Sequence, residues 1–524
     1  EVTSGAIVTV ENGKNLTVTD VLELEGEMYL YGNAQLIQTL DGADLNTGSG
    51  SIYKIVQDGT SSIHRFNYWG APVSDDGSYN LASNLSIASD PNDFSSLTTP
   101  SYTGGVDGAT NTISSYWLYD FRNALGWNSI NENTTKLKGE GFTMKGTGTA
   151  TNYVFVGKPT NGDISLDLDE NNYYLLGNPY PSTINADDFN SYHLTNDITD
   201  GYLYFWDQPA GDSHYKAAYE GGYATRAGGM SSPAASIIVD GETRNVTKAP
   251  TEHIAIGQGF MVAGISNVAE ISFKNSFRKS GTTVFFKSNG KKKKVAKEDL
   301  EIIRIGFEYE TPTGTFHRQL VTSPRGLSLE VDRGFDAPMF DNYANDMYWD
   351  FGDNLRYVIS GVPFVEENLE IPLGVVLEKE TEITILLDAV QNYSNDVFLL
   401  DKETAELTDL SKESAKITLG GDTHVGRFSI LLKESKSLSV NDSLEHEIYY
   451  YYHKDSGAIL FNSLNAGLRK ARLYSLTGDL IQKKSFDENQ HTGRLDVPYL
   501  NSGVYIIQLE TAKGILSKKI VISK

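Results

Sequence analysis

The chain of 524 residues contains no cysteine. That excludes disulfide staples, thiol catalysis and thiolate metal sites. It fits a cytosolic protein or an exported bacterial one better than a eukaryotic extracellular one. Long apolar runs are missing as well: no stretch reaches the roughly 18 residues of a membrane-spanning helix. Positive charge is scarce, since 44 Lys and Arg against 68 Asp and Glu leave a formal net charge of −24. A field of that sign repels phosphate backbones, so nucleic acid is excluded as a partner. Proline is sparse, at 15 against 49 glycines, which points to tight turns and not to a collagen-like or disordered chain. No secretory leader opens the sequence. Glu1-Val2-Thr3-Ser4 reads as mature protein, so an exported form is expected to have lost its leader.

What is present favours strands. Thirty Tyr and 22 Phe dominate the aromatic residues, and such side chains suit a pleated surface. The expectation is a soluble, all-β, multidomain protein. Residues 1–57 carry short runs such as Ala6-Ile7-Val8-Thr9-Val10 and Met28-Tyr29-Leu30-Tyr31, punctuated by glycine turns. They predict a β-solenoid-like or β-sheet segment whose open end abuts the next unit.

Residues 58–280 hold an internal repeat. One copy runs Phe66-Asn67-Tyr68-Trp69-Gly70-Ala71-Pro72, Tyr116-Trp117-Leu118-Tyr119-Asp120, and Gly139-Glu140-Gly141-Phe142. The other runs Tyr173-Tyr174-Leu175-Leu176-Gly177-Asn178-Pro179, Tyr202-Leu203-Tyr204-Phe205-Trp206-Asp207, and Gly257-Gln258-Gly259-Phe260. Both share the order aromatic strand, G-x-P turn, aromatic strand ending in Asp, and G-x-G-F-x-x-x-G. The glycines are read as bulges or close backbone packing. A dinucleotide fingerprint needs a helix next and a third Gly three residues on, and both are missing. Long polar loops, 75–100 and 210–250, separate the landmarks. Within the second, Gly221-Gly222-Tyr223-Ala224-Thr225-Arg226-Ala227-Gly228-Gly229 reads as a flexible crossing, or as a presenter of Tyr and Arg to a ligand.

Residues 281–300, with Lys291 to Lys294 and Lys297, are expected to be a solvated linker. Residues 301–434 predict a β-sandwich or jelly roll from seven or more short strands. Residues 435–446, rich in Ser, Lys, Glu and Asp, form a second linker. Residues 447–524 predict a small Ig-like β-sandwich with a tight hairpin at Thr477-Gly478-Asp479.

Motifs for chemistry are few. None of the nine His forms H-x-H or H-E-x-x-H, and no G-x-S-x-G occurs. Asp167, Asp169 and Asn171 alternate like the start of a calcium loop but lack its Gly and Glu, and are read as a strand end or turn. No cofactor is expected. Ca²⁺ is the one metal that the acidic oxygens would suit.

The final unit resembles the type A C-terminal sorting domain of cargo of the type 9 secretion system of Bacteroidota. The resemblance rests on Leu473-Tyr474-Ser475-Leu476-Thr477-Gly478-Asp479-Leu480-Ile481, Leu500-Asn501-Ser502-Gly503-Val504-Tyr505-Ile506-Ile507-Gln508-Leu509, and Lys518-Lys519-Ile520-Val521-Ile522. Members typically open with Pro-Asn-Pro, where this chain has Tyr450-Tyr451-Tyr452-His453-Lys454. Upstream, Tyr68-Trp69-Gly70-Ala71-Pro72-Val73 and Gly257-Gln258-Gly259-Phe260 resemble modules of large flavobacterial surface proteins. The resemblance implies passage through periplasm and outer membrane to the cell surface or beyond. It implies partners: a translocon barrel, its shuttle barrel, a sortase, and anionic lipopolysaccharide or glycans. Gly478, Gly503, Tyr505, Lys518 and Lys519 are the expected recognition residues. Asp442-Ser443-Leu444 resembles a Bacteroidota O-glycosylation site at Ser443. The expected role is a non-enzymatic, adhesin-like cargo, with surface adhesion or gliding motility as its setting. A glycan hydrolase or glycan-binding protein on the same route is the alternative.

Overall fold

The computed structural model describes residues 1–524 apart from 57–58, 217–218, 240–241, 246, 267–268, 282–284, 287–299, 366–367, 434–447, 455, 464–466, 476–478, 488–489, 513 and 523–524. Both expected linkers fall largely outside the described residues. The fold is all-β, with 54% strand and 5% helix.

The N-terminal segment is a parallel stack. Strand Ile7–Val10 pairs in parallel with Glu27–Leu30, and that strand with Ser51–Val56. A second ladder joins Asn15–Val18 to Gln35–Gln38. Met28, Leu30, Leu36 and Ile52 fill its interior with no exposed surface. The stack does not end on a bare edge. Ser51–Val56 pairs antiparallel with Asn152–Pro159, which in turn pairs with Leu85–Asp90. Unpaired N–H and C=O groups at the end of a stack invite pairing with any strand at hand, and here the next unit supplies one.

The two repeat copies share one topology. In each, the first aromatic strand pairs with the G-x-G-F strand, which pairs with the second aromatic strand. Trp69 lies opposite Phe142 as Leu176 lies opposite Phe260. Tyr119 lies opposite Thr143 as Tyr204 lies opposite Met261. This register makes Tyr119 and Tyr204 equivalent, so Asp120 and Asp207 are not counterparts. The shared Asp ending was a coincidence of sequence order.

The copies interlock through their glycines. Gly70 N–H donates to Gly257 O at 2.9 Å, and Gly177 N–H donates to Gly139 O at 2.8 Å, one reciprocal bond for each copy. A Cβ on Gly70 would stand 2.6 Å from the Gly177 Cα, and one on Gly177 would stand 2.3 Å from the Gly70 Cα. Only glycine permits such an approach. The G-x-G-F pattern is therefore a backbone crossing.

Between the copies' landmarks lies the helix Ala186–Thr195. Its N-cap Asn185 accepts from the amides of Asp187 and Asp188, and these two acids sit in the first turn where the helix dipole favours them.

Residues 302–433 form most of a 13-stranded sheet. Expected strands appear as Ile302–Thr311, Tyr357–Val362, Asn368–Val376, Thr381–Gln391, Val397–Asp401, Ala415–Leu419 and Thr423–Lys433. Strand Ser236–Val239, from the second repeat copy, pairs with Gly314–Pro324 in this same sheet. One apolar core runs from Tyr68, Leu175, Tyr204 and Met261 to Ile303, Phe307, Trp349 and Ile430. Pairing and packing thus cross the sequence divisions at 57 and 281–300.

Buried charges on this sheet are paired. The Arg318 guanidinium forks onto Asp346 at 3.0 and 2.8 Å, both side chains almost fully buried. His317 sits between Glu308 at 3.0 Å and Asp388 at 3.1 Å. Burial alone would lower its pKa, but the Asp388 and Glu308 carboxylates outweigh burial and hold it up at about 9. A folded-state pKa above the unfolded value stabilises the fold fully below the unfolded pKa, and the gain is lost as pH rises through the folded pKa. The expected result is that His317→Gln costs on the order of 2 kcal/mol near pH 6, and that the difference from wild type shrinks toward about pH 9.5. Urea unfolding of both proteins across that range is the check. A difference that does not change with pH would remove the charged histidine from the account.

Candidate functional site: the C-terminal β-sandwich

The C-terminal unit closes two sheets on one core. Ile448–His453, Ala458–Ser463 and Thr492–Asp496 form the first. Leu480–Ser485, Leu468–Tyr474, Gly503–Thr511 and Gly514–Ile522 form the second, in that order. Alternation decides which residues enter the core: Ile507, Leu509, Leu516, Ile520 and Ile522 point in. The last two strands make a long hairpin from Gly503 opposite Ile522 to Thr511 opposite Gly514.

Four expected recognition residues lie on this hairpin; Gly478, like Ser443, lies outside the described residues. Gly503 opens the first strand. Tyr505 lies opposite Ile520, packs against the core, and donates its hydroxyl to Asn501 O at 2.9 Å. Lys518 lies opposite Ile507 and Lys519 opposite Ile506. Successive strand residues face opposite sides, so Lys518 is half-buried and Lys519 is exposed. The two lysines do not form one basic patch. On the outer face with Lys519 stand Val504 and Val521, directly paired and 40% and 65% exposed. Strand Gly514–Ile522 is the free edge of its sheet among the described residues, which is the surface a β-augmenting partner uses.

The strand where the expected Pro-Asn-Pro opening is absent has a structural use. Tyr450 and Tyr452 pack on the core of the C-terminal unit. Tyr449 and Tyr451 point the other way, onto Phe398, Leu400, Leu407 and Leu431 of the preceding sheet. The Tyr451 hydroxyl donates to Lys402 O, and Asn462 Nδ2 donates to Ala405 O at 2.5 Å. Lys433 Nζ stands 4.1 Å from the Tyr449 ring centre and 4.6 Å from that of Phe398. The tail is docked on its cargo through a two-faced tyrosine strand.

Two clusters in the cargo were not readable from sequence, because each converges from several elements. One is closed: Lys136, Asp120 and Glu140 are buried together, with Arg122 and Tyr174 at their edge. The other is an aromatic corner. Lys145 Nζ lies 3.6 Å from the Trp117 ring centre, 3.1 Å from Tyr219 OH and 3.2 Å from His214 Nδ1. Burial pushes the Lys145 amine down to about 8. His214 reaches Asp107 at 2.8 Å. Tyr116 and Tyr215 stand exposed beside it in the chain, at 49% and 81%. The loop after 210, read from sequence as functional or mobile, supplies half of this corner. The expectation for 221–229 is corrected. Strand Glu220–Ala227 is ordinary sheet, Tyr223 bonds Tyr68 hydroxyl to hydroxyl at 2.7 Å, and Arg226 is buried on Asp187. Asp167 ends a strand opposite Glu270, and Asn171 takes a left-handed turn.

Residues 1–432 match the profile of a family described as Domain of unknown function (DUF8693). The chain belongs to this family. Residues 454–523 match the Secretion system C-terminal sorting domain. The DUF8693 chain is therefore a substrate of the type 9 secretion system of Bacteroidota, exported to the cell surface or the extracellular space. The tyrosine strand Ile448–His453 lies between the two matched segments. No curated protein matches the chain. A solved structure titled "Biofilm associated protein - BSP domain" aligns over 93% of this chain and 99% of its own, at 8% identity and a TM-score of 0.17. A superposition that loose carries no argument about fold or function.

Two outcomes follow from the tail. At Gly503 the backbone is not left-handed, and a Cβ would meet nothing closer than 3.7 Å, the Tyr505 ring. Gly503→Ala is expected to leave stability unchanged or raise it by up to about 1 kcal/mol. A loss of surface export in that folded variant, measured by immunoblot of cell fractions, marks Gly503 as a recognition residue; full export assigns it no such role. For the joint, Tyr449→Ser with Tyr451→Ser removes about 2 kcal/mol of contact. Small-angle scattering of the full chain is expected to show a larger maximum dimension, with the circular dichroism of both units retained.

Proposed function

We propose that residues 1–432 are a rigid, non-enzymatic, adhesin-like scaffold carried to the surface by its docked tail. The aromatic corner at Tyr116, Trp117, His214 and Tyr215 is its ligand-contacting surface. The observation that carries this reading is the corner's make-up. Loops from both repeat copies meet there: Trp117 and His214 shelter Lys145, and Tyr116 and Tyr215, their neighbours in the chain, stay in solvent. Exposed apolar clusters rimmed by polar groups mark interaction surfaces. Flat rings beside hydroxyl and amine groups suit a glycan, whose rings present both C–H faces and hydroxyls. Several charged groups elsewhere are paired with one another, as in Arg318 with Asp346 and Arg427 with Asp401. On this reading the translocon and shuttle barrels read the final hairpin, and a sortase removes the tail to leave the cargo on anionic lipopolysaccharide.

The test is a polysaccharide panel against the full chain and the Tyr116→Ala, Tyr215→Ala double variant. Both positions are exposed, so the variant is expected to fold. Binding that falls at least about tenfold in the variant supports the corner. Equal binding by both proteins moves the ligand surface elsewhere. Release of free sugar by the wild type replaces the scaffold reading with a hydrolase.

A further inference from the structure

The first repeat copy buries an amine against two carboxyls. Lys136 Nζ lies 2.6 Å from Asp120 Oδ2 and 3.3 Å from Glu140 Oε2, with the three side chains 3%, 1% and 2% exposed. The chemistry of the surroundings is specific. Asn128 Nδ2 donates to Asp120 Oδ1 at 3.3 Å. Arg122 Nε stands 3.5 Å from Asp120 Oδ2. Glu140 is held in place by Arg122 Nη1 at 3.0 Å, the Tyr174 hydroxyl at 2.8 Å and the Leu137 amide at 2.9 Å. The three residues come from strand Tyr119–Phe121, strand Lys136–Leu137 and the turn before strand Phe142–Lys145, so sheet pairing fixes their positions.

A buried ammonium–carboxylate pair pays for the loss of water on both sides, and proton transfer from nitrogen to oxygen removes both charges at once. The product of that transfer is a neutral amine in hydrogen-bond contact with a carboxylic acid, its nitrogen 2.6 Å from Oδ2, so the two groups need no diffusional encounter to react. We propose that Lys136 and Asp120 condense to an intramolecular isopeptide bond, with Glu140 as the proton carrier. The Lys136 Nζ proton passes to Asp120 Oδ2. The amine lone pair attacks Asp120 Cγ and forms the C–N bond. Negative charge gathers on Oδ1, where the Asn128 amide receives it. Glu140 takes a proton from the nitrogen and returns it to the hydroxyl at Oδ2. The Cγ–Oδ2 bond breaks and one water leaves. Nothing is oxidised or reduced, and no co-reactant is needed. Charge stays matched afterwards: the amide consumes one positive and one negative group, and the remaining Arg122 and Glu140 are already paired. The bond would close the segment 120–136, which carries the exposed Leu125 and Trp127, and would give a cysteine-free extracellular protein a covalent staple.

The experiment is intact-mass spectrometry of the full chain, followed by peptide mapping. The expected wild-type mass is lower than the sequence mass by one water, with a branched peptide joining the Asp120 and Lys136 fragments. Glu140→Gln, which keeps the size of the side chain and one accepting oxygen, is expected to show the full mass with unchanged circular dichroism. Lys136→Arg keeps the cation without a condensable amine and is expected to show the full mass as well. A wild-type chain at full mass, or a lost water that maps away from residues 120 and 136, overturns the proposal whatever the variants do. Complete condensation in Glu140→Gln overturns the role of Glu140.

Discussion

Two backbones touch at the centre of the cargo, at Gly70 and Gly177, closer than any side chain allows. The organisation of the first 433 residues depends on that contact. It brings the G-x-G-F strand of each repeat copy against the first aromatic strand of the other, so neither copy completes itself. Tyr68 and Leu175, on the two first aromatic strands, then share a core with the sheet at 302–433. Tertiary interfaces of this kind are close-packed, not compliant. The family match likewise runs from residue 1 to 432 across two changes of local architecture.

Strands with clean alternation were legible in the sequence, and so was the order of the repeat. The strand Gly314–Pro324 was not, although it pairs on both sides. Its inward positions are Phe316, Arg318 and Leu320, and a buried arginine breaks the apolar period that marks a strand. Its partner Asp346 hides the strand Asp346–Trp349 in the same way. The terminal hairpin was legible because glycine, tyrosine and lysine stand there at motif spacing. The tyrosine strand at 448–453 looked like a departure from a pattern, since a residue's two possible faces cannot be told apart until both partners are known. The aromatic corner draws on residues far apart in the chain, and the Lys136 cluster on a strand, a second short strand and a turn whose pairing no spacing rule gives.

The composition takes on meaning with the fold in view. Without disulfides, the cargo relies on apolar cores and on charges enclosed in pairs: Arg318 with Asp346, Arg226 with Asp187, and His317 between two acids. Such pairs contribute less net stability than their geometry suggests, because each ion gives up its hydration. They do penalise wrong registers heavily, since a one-residue slip would leave a charge alone inside. The surplus of acids that remains outside disfavours association through sheet edges.

The tyrosine strand has a consequence for how such proteins are assembled in evolution and in the laboratory. It belongs to neither matched family segment, yet one face fits the cargo and the other fits the tail. It acts as an adapter. Exchanging export tails between cargoes by recombination at residue 454 would leave the adapter matched to one neighbour and foreign to the other. Grafts that preserve both fits must therefore cut on the far side of the strand and re-tailor Tyr449 and Tyr451 to each new surface. The boundary that matters for modular exchange is one strand earlier than the boundary that sequence profiles draw.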